Sequence, residues 1–390
     1  MDLADSPAEA AFRAELRGWL AAHLPAHREV HPPSDDELTL HPDRSFDACR
    51  AWHRRMYAGG WVGLRWPKEL GGRGATLVEQ LIFAEELIAA GAPPGVNTIG
   101  LGMVAPALMV HGTPAQKQRW LKPILSADEI WCQGFSEPNA GSDLANLSTR
   151  ALLEGDHFVV TGQKVWTSHA HRSDYCLLLA RSEPGSARHA GISCLLVDMH
   201  APGITIRPLR QLTGDSEFNE VFFDGVRVPR ASLVGALHRG WEVAVTILMY
   251  ERQSIGGMVN LHFYIDRVLA LARRQGADPV SRQRLAELVI AGRVLRLTNL
   301  RYLTRELNGQ PVGAEGSVLK LTFTEAYKQM AEIAAAMLGP YAQLWGEQPR
   351  APEAGRWAFQ SLFAHRFGIA GGTDQIQRNI IGDRLLGLPR

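Results

Sequence analysis

Hydrophobic spacing along this chain changes period twice, and that switch limits its possible folds more than any single motif. From Ser6 to about Ser126, apolar residues recur at three- and four-residue steps. Ala10, Phe12, Leu16 and Leu20 make one stripe; Leu81, Ala84, Leu87 and Ile88 make another. That is the spacing of one face of a helix. Thr113 before Pro114 reads as an N-cap with proline at the first helical position. Between about Glu129 and Pro229 the period falls to two. Short runs over Leu147 to Leu153, His157 to Thr161, Asp174 to Ala180, Gly191 to Val197, Ile204 to Leu209 and Asn219 to Phe223 are separated by turn residues, with Glu154-Gly155-Asp156 as a hairpin signal. From Gly240 helical spacing returns, over Trp241 to about Arg274, Val280 to Leu307 and Gly316 to Met337, with shorter segments over about Ala354 to Phe367 and Asp374 to Leu386. Strands without intervening helices predict an antiparallel barrel or sandwich. Long helices with short connections predict an antiparallel bundle. The expected fold class is α+β and multidomain: an N-terminal α-helical domain over residues 1–127, a middle β-domain over 128–236 and a C-terminal α-helical bundle over 237–390.

Charge excludes some functions. The 390 residues carry 41 Lys+Arg against 40 Asp+Glu, with no basic run or acidic tail, so neither nucleic acid nor an anionic membrane is an expected partner. Cys49, Cys132, Cys176 and Cys194 are scattered without CxxC spacing and read as buried free thiols of a reducing compartment. The first residues lack the basic and apolar regions of a signal peptide, and no apolar run approaches the roughly 18 residues of a membrane span. The expectation is a soluble, cytoplasmic protein.

Four stretches carry candidate chemistry. Trp131 to Ala151 (WCQGFSEPNAGSDLANLSTRA) runs from a strand into a loop where Pro138, Asn139 and Gly141 favour tight turns. Such a loop is either an ordinary connection or one whose free backbone N–H groups meet an oxygen-rich ligand. In Gly162-Gln163-Lys164-Val165-Trp166-Thr167-Ser168, an indole beside two hydroxyls suits a planar ring with a heteroatom edge, such as a flavin, or is simply a barrel core tryptophan. On the helix from Trp241, Glu251 shares a stripe with Ala244, Leu248, Ile255 and Met258. A carboxylate there is ion-paired, or desolvated with a raised pKa as a general base requires; Arg252 beside it offers positive charge to a ligand. Gly371-Gly372-Thr373-Asp374-Gln375-Ile376-Gln377-Arg378 leads into a helix with Thr373 or Asp374 as its cap, either plain capping or an anion-facing terminus. His169 and His171 read as surface or hydrogen-bonding residues, because no metal ligand set lies near them. The chain has no GxGxxG after a strand, no Walker A loop, no GxSxG elbow and no HExxH.

In this order and spacing the four stretches resemble the acyl-CoA dehydrogenase flavoproteins, over essentially the whole chain. CQGFSEPNAGSDLA matches the family's first signature except for Phe135, where a branched aliphatic is usual; GQKVWTS, GDSEFNEVFFDGVRVP and GGTDQIQRNIIGDRLLGLPR match further segments. The resemblance implies a C-terminal four-helix bundle, FAD held between it and the middle domain, and a homodimer or homotetramer. It implies that Gln133, Phe135 and Ser136 line the flavin ring, and that Gly141 and Ser142 lie by flavin and acyl-CoA with the Ser142 hydroxyl on the CoA moiety. Trp166, Thr167 and Ser168 would pack on the isoalloxazine with Ser168 donating towards N5, and Thr373 and Gln375 would touch the ribose and adenine side.

Two departures stand out. Where many members carry the catalytic glutamate before the Gly-Thr, this chain has Gly371; a minority carry it as a Glu-Arg pair on the first long helix of the C-terminal domain, which Tyr250-Glu251-Arg252 matches. Arg274-Gln275-Gly276-Ala277 and Ala335-Ala336-Met337-Leu338-Gly339 stand where members often have Arg-x-x-Phe and Gln-x-x-Gly-Gly for the FAD pyrophosphate. The expected activity is FAD-dependent dehydrogenation of an acyl-CoA thioester to a trans-2-enoyl-CoA, in lipid catabolism. Glu251 would be the α-proton base, flavin N5 the hydride acceptor, Ser142 and Arg252 the substrate contacts, and an electron-transfer flavoprotein the electron acceptor. An oxidase or flavin monooxygenase of the same fold, and a non-catalytic partner subunit of a hetero-oligomer, are the alternatives.

Overall fold

The computed structural model describes residues 4–31, 46–255, 261–310, 313–345 and 348–389, with the side chains of 251–255 left out. These residues form two compact units that do not follow the chain in order.

One unit gathers the described parts of residues 4–31, 75–93 and 252–389. Its N-terminal helices are α1 (Pro7–Val30) and α3 (Leu77–Ala89). Both start with a capping box, Ser6 with Glu9 and Thr76 with Glu79, in which side chains and backbone satisfy each other's orphan N–H groups. Phe12, Leu16 and Leu20 of the first predicted stripe are buried, whereas Ala10 is exposed. The second stripe is displaced: Leu81, Ala84, Leu87 and Ile88 are half-buried, while the deepest residues of α3 are Ile82 and Glu86. Glu86 is accepted in the interior because Arg13 and Arg17 of α1 both donate to it. The bundle helices are α7 (Leu261–Gln275), α8 (Pro279–Leu307), α9 (Glu315–Leu338), α10 (Arg356–Phe363) and α11 (Asp374–Ile380). Their shared core joins Ile265 and Val268 to Leu288, Leu295, Phe323, Tyr327 and Trp357.

The other unit holds α2 (Phe46–Ala58), α4 (Ala105–His111), α5 (Pro114–Ser126), an eight-stranded sheet and most of α6 (Gly240–Ile255). Thr113 and Gln116 form the capping box of α5, with Pro114 at its first turn as expected. The strands are β1 (Trp131–Gly134), β2 (Arg150–Glu154), β3 (His157–Ser168), β4 (Tyr175–Arg181), β5 (Ile192–Asp198), β6 (Ile204–Leu209), β7 (Phe218–Pro229) and β8 (Leu233–Val234). They run in the order β6-β7-β3-β2-β4-β5-β8, with β1 also pairing β4. The expected hairpin is present as β2–β3. The sheet is largely antiparallel, but β1 lies parallel to β4, with Cys132 opposite Cys176, and β2 touches β4 in parallel as well. β3 and β7 are also longer than period two predicts. β3 passes through register shifts on either side of Gly162-Gln163-Lys164, and these break the alternation that marks a strand in sequence.

Candidate active site

One of the two twelve-residue strands of the sheet, β3, builds a ledge. Along β3, Phe158, Val160 and Lys164 point into the core, all at even positions. Between Lys164 and Thr167 the register with β7 slips, and Trp166 takes a left-handed backbone (φ 60°). The slip inverts the phase: Val165 and Thr167 turn inward and Trp166 is left 60% exposed. A bulky residue in this region costs of order 1–3 kcal/mol and persists only where its surroundings impose it. They do: Val165 N donates to Ser136 O at 2.9 Å, and Asn219 Nδ2 donates to Thr167 O at 3.0 Å. The indole therefore stands as an open flat surface, edge-on to Phe218. Thr167 Oγ1 beside it is buried without a hydrogen-bond partner among the described residues, and Ser168 is half-buried.

The loop after β1 lies along the same strand. Gln133 and Ser136 are half-buried and Phe135 is 6% exposed, while Gly141 and Ser142 are exposed beyond the Glu137–Ala140 turn. What holds loop to strand is a buried ion pair that sequence reasoning did not single out. Lys164, wholly buried, donates from Nζ to Glu137 Oε1 (2.7 Å) and Phe135 O (3.0 Å). The Glu137 carboxylate also accepts from Ser148 N, Ser148 Oγ and Thr149 N. Burial alone would raise the Glu137 pKa; the Lys164 charge and these donors outweigh it and hold it at about 2. Burial draws the Lys164 ammonium below the usual lysine range while Glu137 opposes that shift. Both residues belong to the recognised motifs, so the available signal was a lysine in phase with Phe158 and Val160.

α6 is docked on the sheet by its first turns. Val243, Ala244 and Ile247 are buried, and Leu248 is half-buried. His238, left-handed at φ 65°, donates its N–H to Ser193 Oγ (3.0 Å), and its Nδ1 lies 2.9 Å from Ser182 Oγ. His111 Nε2 meets Thr246 Oγ1 at 2.8 Å, tying α6 to α4. Glu251 follows Ala244 and Ile247 at helical spacing; its side chain and that of Arg252 lie outside the described residues, as does Met258. His171 Nδ1 faces Asn219 Oδ1 at 3.2 Å, and the backbone N–H of His169 donates to Glu217 O.

In the other unit, Thr373 caps α11, its Oγ1 accepting from Ile376 N, and Gln375 is exposed. Asp374 is not the cap. It is buried between Lys320 Nζ (2.7 Å) and Lys328 Nζ (3.2 Å) of α9, and these cations outweigh burial and lower its pKa. Gln377 Nε2 donates back to Gly371 O (2.8 Å), which fixes the glycine turn. Arg274, at the place of the family's Arg-x-x-Phe, is paired with Glu353 of its own chain.

Comparison with known proteins identifies the family of the chain. Family models for the N-terminal, middle and C-terminal domains of acyl-CoA dehydrogenase match residues 6–128, 132–226 and 238–386. The chain is 41% identical over 383 residues to acyl-CoA dehydrogenase IpdE1 of Mycobacterium tuberculosis, covering 97% of each. It belongs to the acyl-CoA dehydrogenase family. Among solved structures, the Tcur3481-Tcur3483 steroid ACAD and the ChsE4-ChsE5 complex from Mycobacterium tuberculosis each superpose with a TM-score of 0.85 at 32% identity, over 100% of both chains.

This acyl-CoA dehydrogenase has the three-part fold of its family and is an oxidoreductase with FAD as cofactor. The residues present fit that cofactor: the exposed indole plane of Trp166, the buried Thr167 hydroxyl without a partner among the described residues and the half-buried Ser136 hydroxyl are groups that the face and edge of an isoalloxazine could engage. Among the described residues no group of His, Cys, Asp and Glu could hold a metal, and no helix is long and apolar enough to cross a membrane.

Proposed function

We propose that this protein abstracts the α-proton of an acyl-CoA thioester with Glu251 and so produces a trans-2-enoyl-CoA. The observation that carries the reading is the Trp166-Thr167-Ser168 ledge, an open aromatic face beside hydroxyls with no other evident work. Bound FAD supplies the acceptor for the hydride that leaves the β-carbon. Trp166, Phe135 and Gln133 would flank the ring, with Ser136, Thr167 and Ser168 hydrogen-bonding its edge and Gly141 close beside it. Ser142 would bond the CoA moiety, and Thr373 and Gln375 the ribose and adenine. Glu251 follows Ala244 and Ile247 of α6 at helical spacing, and proton abstraction near neutrality calls for a carboxylate whose charge its surroundings disfavour. Arg252 next to it would attract the substrate's anionic groups. Gly371 supports the assignment, because the position used by many relatives offers no carboxylate.

A bulky, steroid-derived acyl group is the substrate class we favour, supported by the steroid ACAD among the similar structures. Electrons would pass to an electron-transfer flavoprotein, the chain would assemble as a homodimer or homotetramer, and a cytoplasmic location accords with four free buried thiols. A second reading, one chain of a two-chain enzyme, is favoured by the neighbour solved as the ChsE4-ChsE5 complex and by the Arg274–Glu353 pair.

The test is an anaerobic titration of the FAD-loaded protein with a panel of acyl-CoAs, following the visible band of oxidised flavin. Glu251→Gln should still bind substrate but bleach at least about 100-fold more slowly than the parent. Bleaching at the parent rate would remove Glu251 from the mechanism, and peroxide formation in air would make the protein an oxidase.

A further inference from the structure

In the unit that holds the sheet, one guanidinium gathers two loops. Arg181 ends β4 opposite Ile192 of β5, at the root of the connection between those strands. On one side its Nη2 donates to Ala145 O (2.9 Å) and its Nε to Leu147 O (3.3 Å). On the other, Nη1 donates to Ala190 O (2.8 Å), Ser186 Oγ (3.0 Å) and Ser186 O (3.4 Å), and Nη2 to Arg188 O (3.2 Å). An arginine carries five N–H donors in a rigid fork, and here each has an acceptor. None of these acceptors is a carboxylate, so the group works as a clamp on backbone and not as half of an ion pair. A lysine could not span both loops, because its ammonium holds three donors at one point.

What the clamp holds is the downstream end of the segment that carries Ser142. Ala145 sits in a single 3₁₀ turn, Leu144–Asn146, closed by Asn146 N to Asp143 O (3.0 Å) and Leu147 N to Leu144 O (3.1 Å). Ala145 and Leu147 are buried, whereas Gly141, Ser142 and Asp143 are exposed. Upstream, Glu137 is fixed in its turn with Ala140 and accepts from Ser148 N and Thr149 N. The exposed Gly141–Ser142 step is therefore a short span between two fixed ends. A hydroxyl held in this way loses little freedom when it bonds a ligand. We propose that Arg181 is a positioning residue for acyl-CoA recognition, setting the Ser142 hydroxyl for its bond to the CoA moiety. The inference rests on the Ser142 contact proposed above and adds the group that fixes its place. The β4–β5 connection has supports of its own: Ser182 N and Glu183 N donate to Gly191 O (2.7 and 3.1 Å), and the His189 ring lies 4.3 Å from that of Trp241. A change at Arg181 is thus felt first on the Ser142 side.

The test is a calorimetric titration of the full-length, FAD-loaded protein with coenzyme A, run as a double-mutant cycle. Ser142→Ala should weaken binding about fivefold, the effect of one hydrogen bond. Arg181→Lys keeps the charge and loses the fork, and should weaken binding about as much. Arg181→Lys/Ser142→Ala should go no more than about twofold beyond either single change, because both remove the same interaction. A role in folding alone would lower the denaturation midpoint of Arg181→Lys and leave the affinity of the folded protein at the parent value. That outcome, or losses that multiply to about 25-fold in the double variant, would overturn the inference and leave the Ser142 contact standing. Ser142→Ala binding coenzyme A like the parent, or a parent that does not bind it, would remove that contact and the inference together. If Arg181→Lys does not fold, Ser186→Ala takes one acceptor from the clamp. Its loss, about twofold, should likewise vanish in the Ser142→Ala background, and persistence there would overturn the inference.

Discussion

Lys164 occupies a core-facing position of β3 where period two calls for an apolar side chain, and it is tolerated because Glu137 comes from the loop on the other side. Removing one member of such a buried pair leaves an uncompensated charge, at a cost of about 3–5 kcal/mol, whereas replacing both by apolar groups is often close to neutral. Lys164→Met should therefore lower the denaturation midpoint sharply and alter the flavin absorbance envelope, because the Ser136 and Trp166 segments lose their tie. Lys164→Met/Glu137→Leu should recover most of the stability; chemical denaturation of the FAD-loaded variants reads this. The pair also has a pH signature. Its folded carboxyl pKa, about 2, lies below the usual 4.5, so this stabilisation is complete above about pH 4.5 and is lost as pH falls from there towards 2. Glu137→Gln should flatten that acid limb of the stability profile, and an unchanged limb would mean the pair is not ionised in the fold. The motif residues were legible because their types are unusual together. The pair was not, since nothing in a linear pattern says that residues 137 and 164 share one cavity.

The start of α6 shows what elements demand of one another. Gly240 lies against β5 so closely that a Cβ there would meet the backbone of Ser193 and Cys194, and backbone cannot step aside as a side chain does. Gly240→Ala should push the helix start outward, destabilising the fold by about 1–3 kcal/mol. Because the displaced helix carries Glu251, the proposed base, the flavin bleaching rate should fall more than acyl-CoA affinity does. Equal losses in both would mean that α6 does not position the base. Hairpins and capped helices were readable here, since Thr113 with Gln116 and the β2–β3 turn are local chemistry. The parallel pairing of β1 with β4 was not, because it joins residues 131–134 to 175–178 across an intervening hairpin. Nor was the phase inversion at Trp166, which depends on what β7 offers opposite it.

At the scale of the whole molecule, FAD binds the folded chain and not the unfolded one, so its occupancy is itself a source of stability. At a free concentration about 100 times its Kd it should contribute about 2.7 kcal/mol. Dialysis against a flavin-stripping salt should accordingly lower the thermal midpoint, and re-addition of FAD should restore it in a concentration-dependent way. A midpoint indifferent to FAD would show that the chain does not hold the cofactor by itself. The sequence alone determined the helical, β and helical character of the successive thirds and the family, because periodicity and short motifs are properties of neighbouring residues. Only the tertiary structure decided that Glu86 is buried between two arginines, that Glu137 and Lys164 lock the ledge, and that residues 75–93 join the C-terminal helices in one compact unit. Those outcomes depend on which distant groups meet in a low-dielectric interior, where a partner makes a charge tolerable, and no local pattern encodes the partner.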